Sequence, residues 1–117
     1  MKSPFSFSRL SLPLMLLVLL SAFSVASAQD EYAAVKTWET FDFAGRSVAP
    51  ADFSALTLDD LKLVRGIVFG KHGRVFKDPD IKRFLESRTW FKGDPNFQNS
   101  ALNDSERKNL DVIRDAE

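Results

Sequence analysis

The sequence predicts a small all-α domain of three helices, which follows a cleaved signal peptide and an aromatic-containing leader. Two observations carry this prediction: apolar residues recur at helical spacing between capping residues, and the N-terminal apolar run is short and ends in small residues. Cysteine is absent, so the domain must be held together by packing without disulfides. The predicted segments are a signal peptide at 1–28, a leader at 29–55 and a helical domain at 56–117. The length allows one folded domain.

The N-terminal segment has the three parts of a secretory signal. Lys2 and Arg9 precede an apolar run from Leu10 to Phe23, and Ala26-Ser27-Ala28 is a cleavage pattern directly before Gln29. The alternative is an uncleaved anchor, but the run is shorter than the roughly 20 apolar residues of a membrane-spanning helix. We therefore expect a periplasmic or secreted protein with no stable membrane span after cleavage. Without cysteine it is not a lipoprotein.

The leader combines a helix-compatible stretch with a loop-forming one. Val35, Trp38 and Phe41 recur at spacings of three, which is compatible with a short helix, whereas Gly45 and Pro50 favour loop or extended chain. The leader's aromatic residues are too many for a simple tether, so some should dock on the domain: Trp38, Phe41, Phe43 and Phe53.

The first domain helix is predicted over residues 57–72. Thr57 and Asp60 have the spacing of a capping box, and Gly73 can take the left-handed position that ends a helix. Gly66 and Gly70 lie inside this helix although glycine is a poor helix former, which indicates that another segment packs closely against them. The helix has one apolar face: Leu61, Val64, Val68 and His72.

Capping residues also mark the other two helices. Asp78 and Pro79 begin one at 79–87, and Asn103 with Glu106 begins one at 103–116. The predicted core is Leu61, Val64, Val68, Phe76, Phe84, Leu85, Trp90, Phe91, Leu110 and Ile113.

The stretch VRGIVFGKHGRVF at 64–76 resembles the core of the YARHG family, written LRNEIYARHGYVF. His72 and Gly73 match the signature, whereas Phe69, Gly70 and Lys71 stand where Tyr, Ala and Arg are expected. A Trp-aromatic pair, Trp90-Phe91, and the closing LNDSERKNLDVI extend the resemblance over residues 56–114. It implies an extracytoplasmic domain and defines no activity. Phe69 lacks the tyrosine hydroxyl.

Charge is unevenly distributed along the chain. Residues 61–92 hold nine basic side chains against three acidic ones, and acidic residues exceed basic ones in both flanking segments. This pattern favours a basic surface for an anionic partner; the alternative is that the acidic flanks fold back and neutralise the centre. The candidate surface residues are Arg65, Lys71, Arg74, Lys77 and Lys92.

The sequence contains no recognisable catalytic or metal-binding pattern. His72 is the only histidine, and metal sites need three or four convergent ligands, so we expect no metal and no cofactor. We interpret His72 as a structural hydrogen-bond partner, and Trp90 and Phe91 as core residues rather than a sugar platform. The paired acidic residues stand at helix starts, where capping explains them.

The leading hypothesis is therefore a non-enzymatic binding module of the bacterial cell envelope. Its basic centre would contact an anionic polymer or an acidic protein surface. We expect no nucleic-acid partner, because the protein is expected to be exported and residues 29–117 are slightly acidic overall. The alternatives are a structural or assembly factor that uses the aromatic leader, Trp38 to Phe53, as its contact, and a small hydrolase that depends on His72.

Overall fold

The computed structural model describes residues 31–117, and the predicted signal peptide lies outside them. Tyr32–Glu117 form one compact unit. Three α-helices follow in order, α1 (Leu58–Gly70), α2 (Pro79–Glu86) and α3 (Asp104–Ala116), with short 3-10 helices at Ala33–Glu39, Pro50–Phe53 and Asn99–Ala101. The described part of the chain contains no β-strand. The predicted all-α fold with three helices is confirmed.

Capping side chains begin the helices where the sequence predicted. Asp60 N–H donates to Thr57 Oγ1 at 3.1 Å, and Thr57 N–H donates to the Asp60 carboxylate at 3.0 Å. Asn103 and Glu106 form the same reciprocal pair at the start of α3. Asp78 Oδ1 accepts from the first amides of α2. These bonds satisfy helix amides that have no intrahelical partner.

Helix α1 is the centre of the domain, because α2, α3 and the 3-10 helix Ala33–Glu39 all pack on it. A Cβ built on Gly66 would lie 2.8 Å from Ile81 Cγ2, and one on Gly70 would lie 2.6 Å from Leu85 Cδ2. The two glycines thus let α2 approach α1 closely, which confirms the prediction that a segment packs against them.

The aromatic leader is part of the core. Val35, Trp38, Phe43 and Phe53 are buried, and the Trp38 ring lies 5.0 Å from the Phe53 ring between centroids. The predicted short helix is a 3-10 helix, Ala33–Glu39. Since these rings pack inside the domain, they offer little surface to a partner protein.

Trp90 and Phe91 are only half-buried, so the prediction that they are core residues was too strong. Trp90 lies at the edge of the core because its indole N–H donates to Glu39 Oε1 at 2.9 Å.

Within residues 31–117, every helix is too short or too polar to cross a membrane.

Candidate functional site

The signature segment, residues 69–74, forms a fixed turn at the end of α1. Gly73 has a φ of +90°, which L side chains rarely adopt. Gly73 N–H donates to Gly70 O at 2.9 Å, and Gly73 O accepts from Asp94 N–H at 2.7 Å. The turn is therefore held both to its own helix and to the loop after α2.

His72 is tied to the beginning of α3. Its Nε2 lies 2.6 Å from Glu106 Oε2, and the Glu106 side chain is only 6% exposed. The other oxygen, Glu106 Oε1, accepts from Asn103 N–H in the capping box. A single carboxylate thus joins the signature segment to the helix cap, which agrees with the structural interpretation of His72.

Lys71 points to a different neighbour, the half-buried ring of Trp90. The ammonium lies 4.1 Å from the ring centroid, a distance at which the ring's negative face attracts a cation. Burial lowers the pKa of Lys71, and the Glu39 carboxylate opposes that change. Glu39 itself is held by Trp90 Nε1 and by the guanidinium of Arg88, 3.0 Å away.

A cleft of about 390 Å³ opens beside these groups. We call it the signature cleft. The middle of the leader, α1, the signature segment and α3 all contribute to its lining: Glu39, Thr40, Phe41, Asp42, Phe43, Ala44, Val68, Lys71, His72 and Glu106.

A second cleft, of about 420 Å³, lies between the signature segment and α3. We call it the arginine cleft, because three arginines contribute to its lining: Phe69, Arg74, Asn99, Leu102, Arg107, Leu110, Asp111 and Arg114.

Arg74 is the best-positioned cation of the arginine cleft. Its guanidinium carbon lies 4.4 Å from the Phe69 ring centroid and 4.7 Å from that of Phe76. Burial lowers the pKa of Arg74, and the charges of Arg65 and Arg114 add to this effect. No carboxylate within residues 31–117 forms a salt bridge with it. Its charge is therefore fixed in place and left uncompensated by a direct ion pair.

The five predicted basic-surface residues do not form one continuous site. Lys71 lines the signature cleft and Arg74 the arginine cleft, whereas Lys77 and Lys92 are exposed outside both linings. Arg65 pairs with the Glu117 carboxylate at 3.0 Å.

The acidic flanks do neutralise part of the basic centre. Glu117 pairs with Arg65, and Glu39 pairs with Arg88. Neutralisation by the acidic flanks thus applies to some basic residues only. Arg74 and Lys71 form no ion pair in these contacts, so they remain candidates for a basic surface.

The described residues give little support to hydrolysis. Ser87 and Ser105 donate their hydroxyls to backbone carbonyls, of Phe84 and Phe43. Across residues 31–117, no three side chains of His, Asp or Glu converge in a way that could hold a metal ion.

Sequence reasoning missed several residues of these sites. Arg107 and Arg114 were not among the predicted site residues. Both are exposed on α3, and their place beside Arg74 in the lining of one cleft depends on how α3 packs against α1. Their spacing of seven residues places them on one face of α3, which is a signal that could have been used. Glu106 was expected to be a cap and is also the partner of His72.

Replacing His72 should lower stability. We expect His72→Ala to reduce the free energy of unfolding by about 1–3 kcal/mol, because the buried Glu106 carboxylate loses a partner. Urea denaturation followed by tryptophan fluorescence would measure this. The exposed Lys77→Ala is a matched control and should change stability by less than about 0.5 kcal/mol. Equal stability of both variants, or stoichiometric zinc in the unaltered protein, would contradict the structural role.

The fold and its clefts define a small all-α domain built around a conformationally fixed His-Gly turn. The YARHG domain matches residues 38–117, and the chain belongs to this family. The domain fold is also similar to a crystal structure from Legionella pneumophila, of a protein whose name suggests nutrient binding. That match has a TM-score of 0.55 and 23% identity, and it covers 75% of this chain and 26% of the other. The chain thus spans about a quarter of that protein. No curated protein matches it.

Proposed function

We propose that this chain is an exported, non-enzymatic binding module of the bacterial cell envelope. Its arginine cleft would bind phosphate or carboxylate groups of an anionic envelope polymer. The observation that carries this proposal is Arg74, a half-buried cation with no salt-bridge partner among residues 31–117, beside a cleft that Arg107 and Arg114 also line.

The geometry of Arg74 suits an anion. Contacts with the rings of Phe69 and Phe76 hold the guanidinium without consuming its hydrogen-bond donors. A planar guanidinium can therefore offer two parallel N–H groups to a carboxylate or phosphate. Asp111 also lines the cleft, but its contact with Arg114 is long, at 3.4 Å, and exposed, so the pair contributes little and can rearrange.

Two further points support a binding role over catalysis. The Legionella protein with a similar fold carries a name that suggests nutrient binding, and the hydroxyls of Ser87 and Ser105 donate to backbone carbonyls. Export is supported by the signal-like segment at 1–28.

Charge reversal at the arginine cleft tests the proposal. We expect Arg74→Glu to reduce retention on isolated envelope material about tenfold or more, since losing a charge-assisted hydrogen bond costs at least ~1.4 kcal/mol. Retention of the unaltered protein should fall as salt is raised. Lys82 is an exposed residue of α2. Lys82→Glu makes the same charge change there and should leave retention nearly unchanged.

Circular dichroism would confirm that both variants fold. Equal retention of the two variants with no salt dependence would contradict the arginine cleft as the binding site. Retention lost after protease treatment of the envelope material would show an acidic protein partner rather than a polymer.

The mature protein should begin at Gln29. Signal peptidase cleaves after a small-x-small pattern, which here is Ala26-Ser27-Ala28. Intact-mass measurement of the exported form tests this expectation directly. A mass that includes residues 1–28 would instead favour an uncleaved anchor.

A further inference from the structure

The signature cleft is not used by the proposed contact with an anionic polymer. Lys71 and His72 of the signature segment line this cleft, whereas Arg74 lines the arginine cleft. The volume of the signature cleft, about 390 Å³, falls in the range of small-molecule sites. Phe41 is half-buried there and Phe43 is buried, so its apolar wall is partly aromatic. Such a cleft, with a few polar groups around an apolar wall, is the usual form of a ligand site.

Most of the charges around this cleft are already compensated. Glu39 is held by Arg88 and Trp90, and both oxygens of Glu106 have partners, in His72 and the Asn103 amide. Two charges of opposite sign remain without an ion pair within residues 31–117, those of Lys71 and Asp42. Because the other charges are compensated and the two remaining ones are opposite in sign, the cleft has no excess of charge that would favour a metal ion or a simple anion.

The hydrogen-bonding groups that remain are both donors and acceptors. Lys71 offers an ammonium, and exposed Asp42 offers a carboxylate of which Oδ1 accepts only from the nearby Gly45 amide. His72 uses Nε2 toward Glu106, which leaves Nδ1 as its second hydrogen-bonding atom. Hydroxyl groups can satisfy such a mixed set because each one both donates and accepts.

We propose that the signature cleft binds a single uncharged sugar ring. The apolar face of the ring would pack on the accessible part of Phe41, and its hydroxyls would bond with Lys71, Asp42 and His72. This inference is independent of the arginine cleft, which uses other side chains of the same six-residue signature segment.

His72 makes the proposal directly testable, because the only histidine of the chain gives one set of imidazole signals in NMR spectra. The isotope-labelled protein would be titrated at constant pH with N-acetylglucosamine and, separately, with glucose. We expect a saturable shift of the imidazole signals with at least one sugar by about 50 mM, as a millimolar dissociation constant requires.

A matched pair of variants distinguishes site binding from a general effect. Lys71→Met keeps the length of the side chain and removes the ammonium, and it should weaken sugar binding at least fivefold. Lys77→Met makes the same change outside the cleft and should bind as the unaltered protein does. Arg74→Glu should retain the sugar-induced shifts, which separates this cleft from the arginine cleft.

Three results would overturn the proposal. The first is the absence of a saturable shift with either sugar. The second is a saturable shift with alanine, a zwitterion, when neither sugar gives one; this would identify an amino-acid site. The third is equal weakening by Lys71→Met and Lys77→Met, which would place the sugar elsewhere.

Discussion

Asn109→Ala should destabilise the domain by about 2–5 kcal/mol, because three buried or half-buried backbone groups lose their partner together. Asn109 Oδ1 accepts from Val48 N–H at 3.0 Å, and Nδ2 donates to Phe43 O at 3.0 Å and to Arg46 O at 2.8 Å. The side chain is 2% exposed. The leader has irregular backbone here, and the Asn109 side chain provides the hydrogen bonds that a neighbouring strand or a helix would otherwise supply.

Asn109→Asp separates hydrogen bonding from packing, because aspartate has nearly the same volume. It keeps an acceptor for Val48 but places an oxygen against the carbonyls of Phe43 and Arg46, so we expect it to be destabilising as well. Urea denaturation of both variants measures the effect, and the exposed Asn96→Ala is the control. Stability within about 0.5 kcal/mol of the unaltered protein for both Asn109 variants would contradict this role.

The helices could be predicted from sequence because their signals are local. A capping box spans four residues, and the apolar periodicity of α1 and α3 is complete within each helix. The predicted starts at Thr57, Asp78 and Asn103 are the observed caps. The end of α1 was placed two residues late, since Lys71 and His72 lie in the turn that Gly73 closes.

The tertiary contacts could not be predicted, because their partners are distant in sequence. Asn109 bonds to groups more than 60 residues away, and an asparagine within a helix carries no local mark of burial. For His72, a structural role could be predicted because the sequence offers no second histidine and no cysteine to bind a metal. Its partner Glu106 could not be predicted, because it is 34 residues away.

The two clefts depend both on local sequence signals and on contacts between distant residues, so they could be predicted only in part. Arg74 was identified from the basic centre of the sequence, and the signature segment from its resemblance to the family. The division of this segment between two clefts depends on the direction each side chain takes after a left-handed glycine. Lys71 and His72 precede Gly73, and Arg74 follows it, so the turn sends them to different neighbours.

That turn predicts the second large effect. Gly73→Ala should destabilise the domain by about 2–4 kcal/mol, from the strain of a positive φ and from steric overlap. A Cβ at this position would lie 2.9 Å from Lys92 O and 3.1 Å from Asp94 N, both backbone atoms that cannot move alone. The loop after α2 would have to shift, and the bond from Asp94 N–H to Gly73 O would weaken with it.

Gly93→Ala is the matched control in the same loop. Its φ is not positive, and a Cβ there would meet only side chains: Val75 at 3.3 Å, which can adjust, and the Phe91 ring at 3.7 Å, an ordinary van der Waals contact. We expect a change of less than about 1 kcal/mol from it. Thermal and urea denaturation of the two variants provide the comparison. Equal stability of Gly73→Ala and Gly93→Ala would show that the His-Gly turn is not conformationally restricted. A less stable Gly73→Ala that still folds should also shift the His72 imidazole signals, because the turn positions that ring against Glu106.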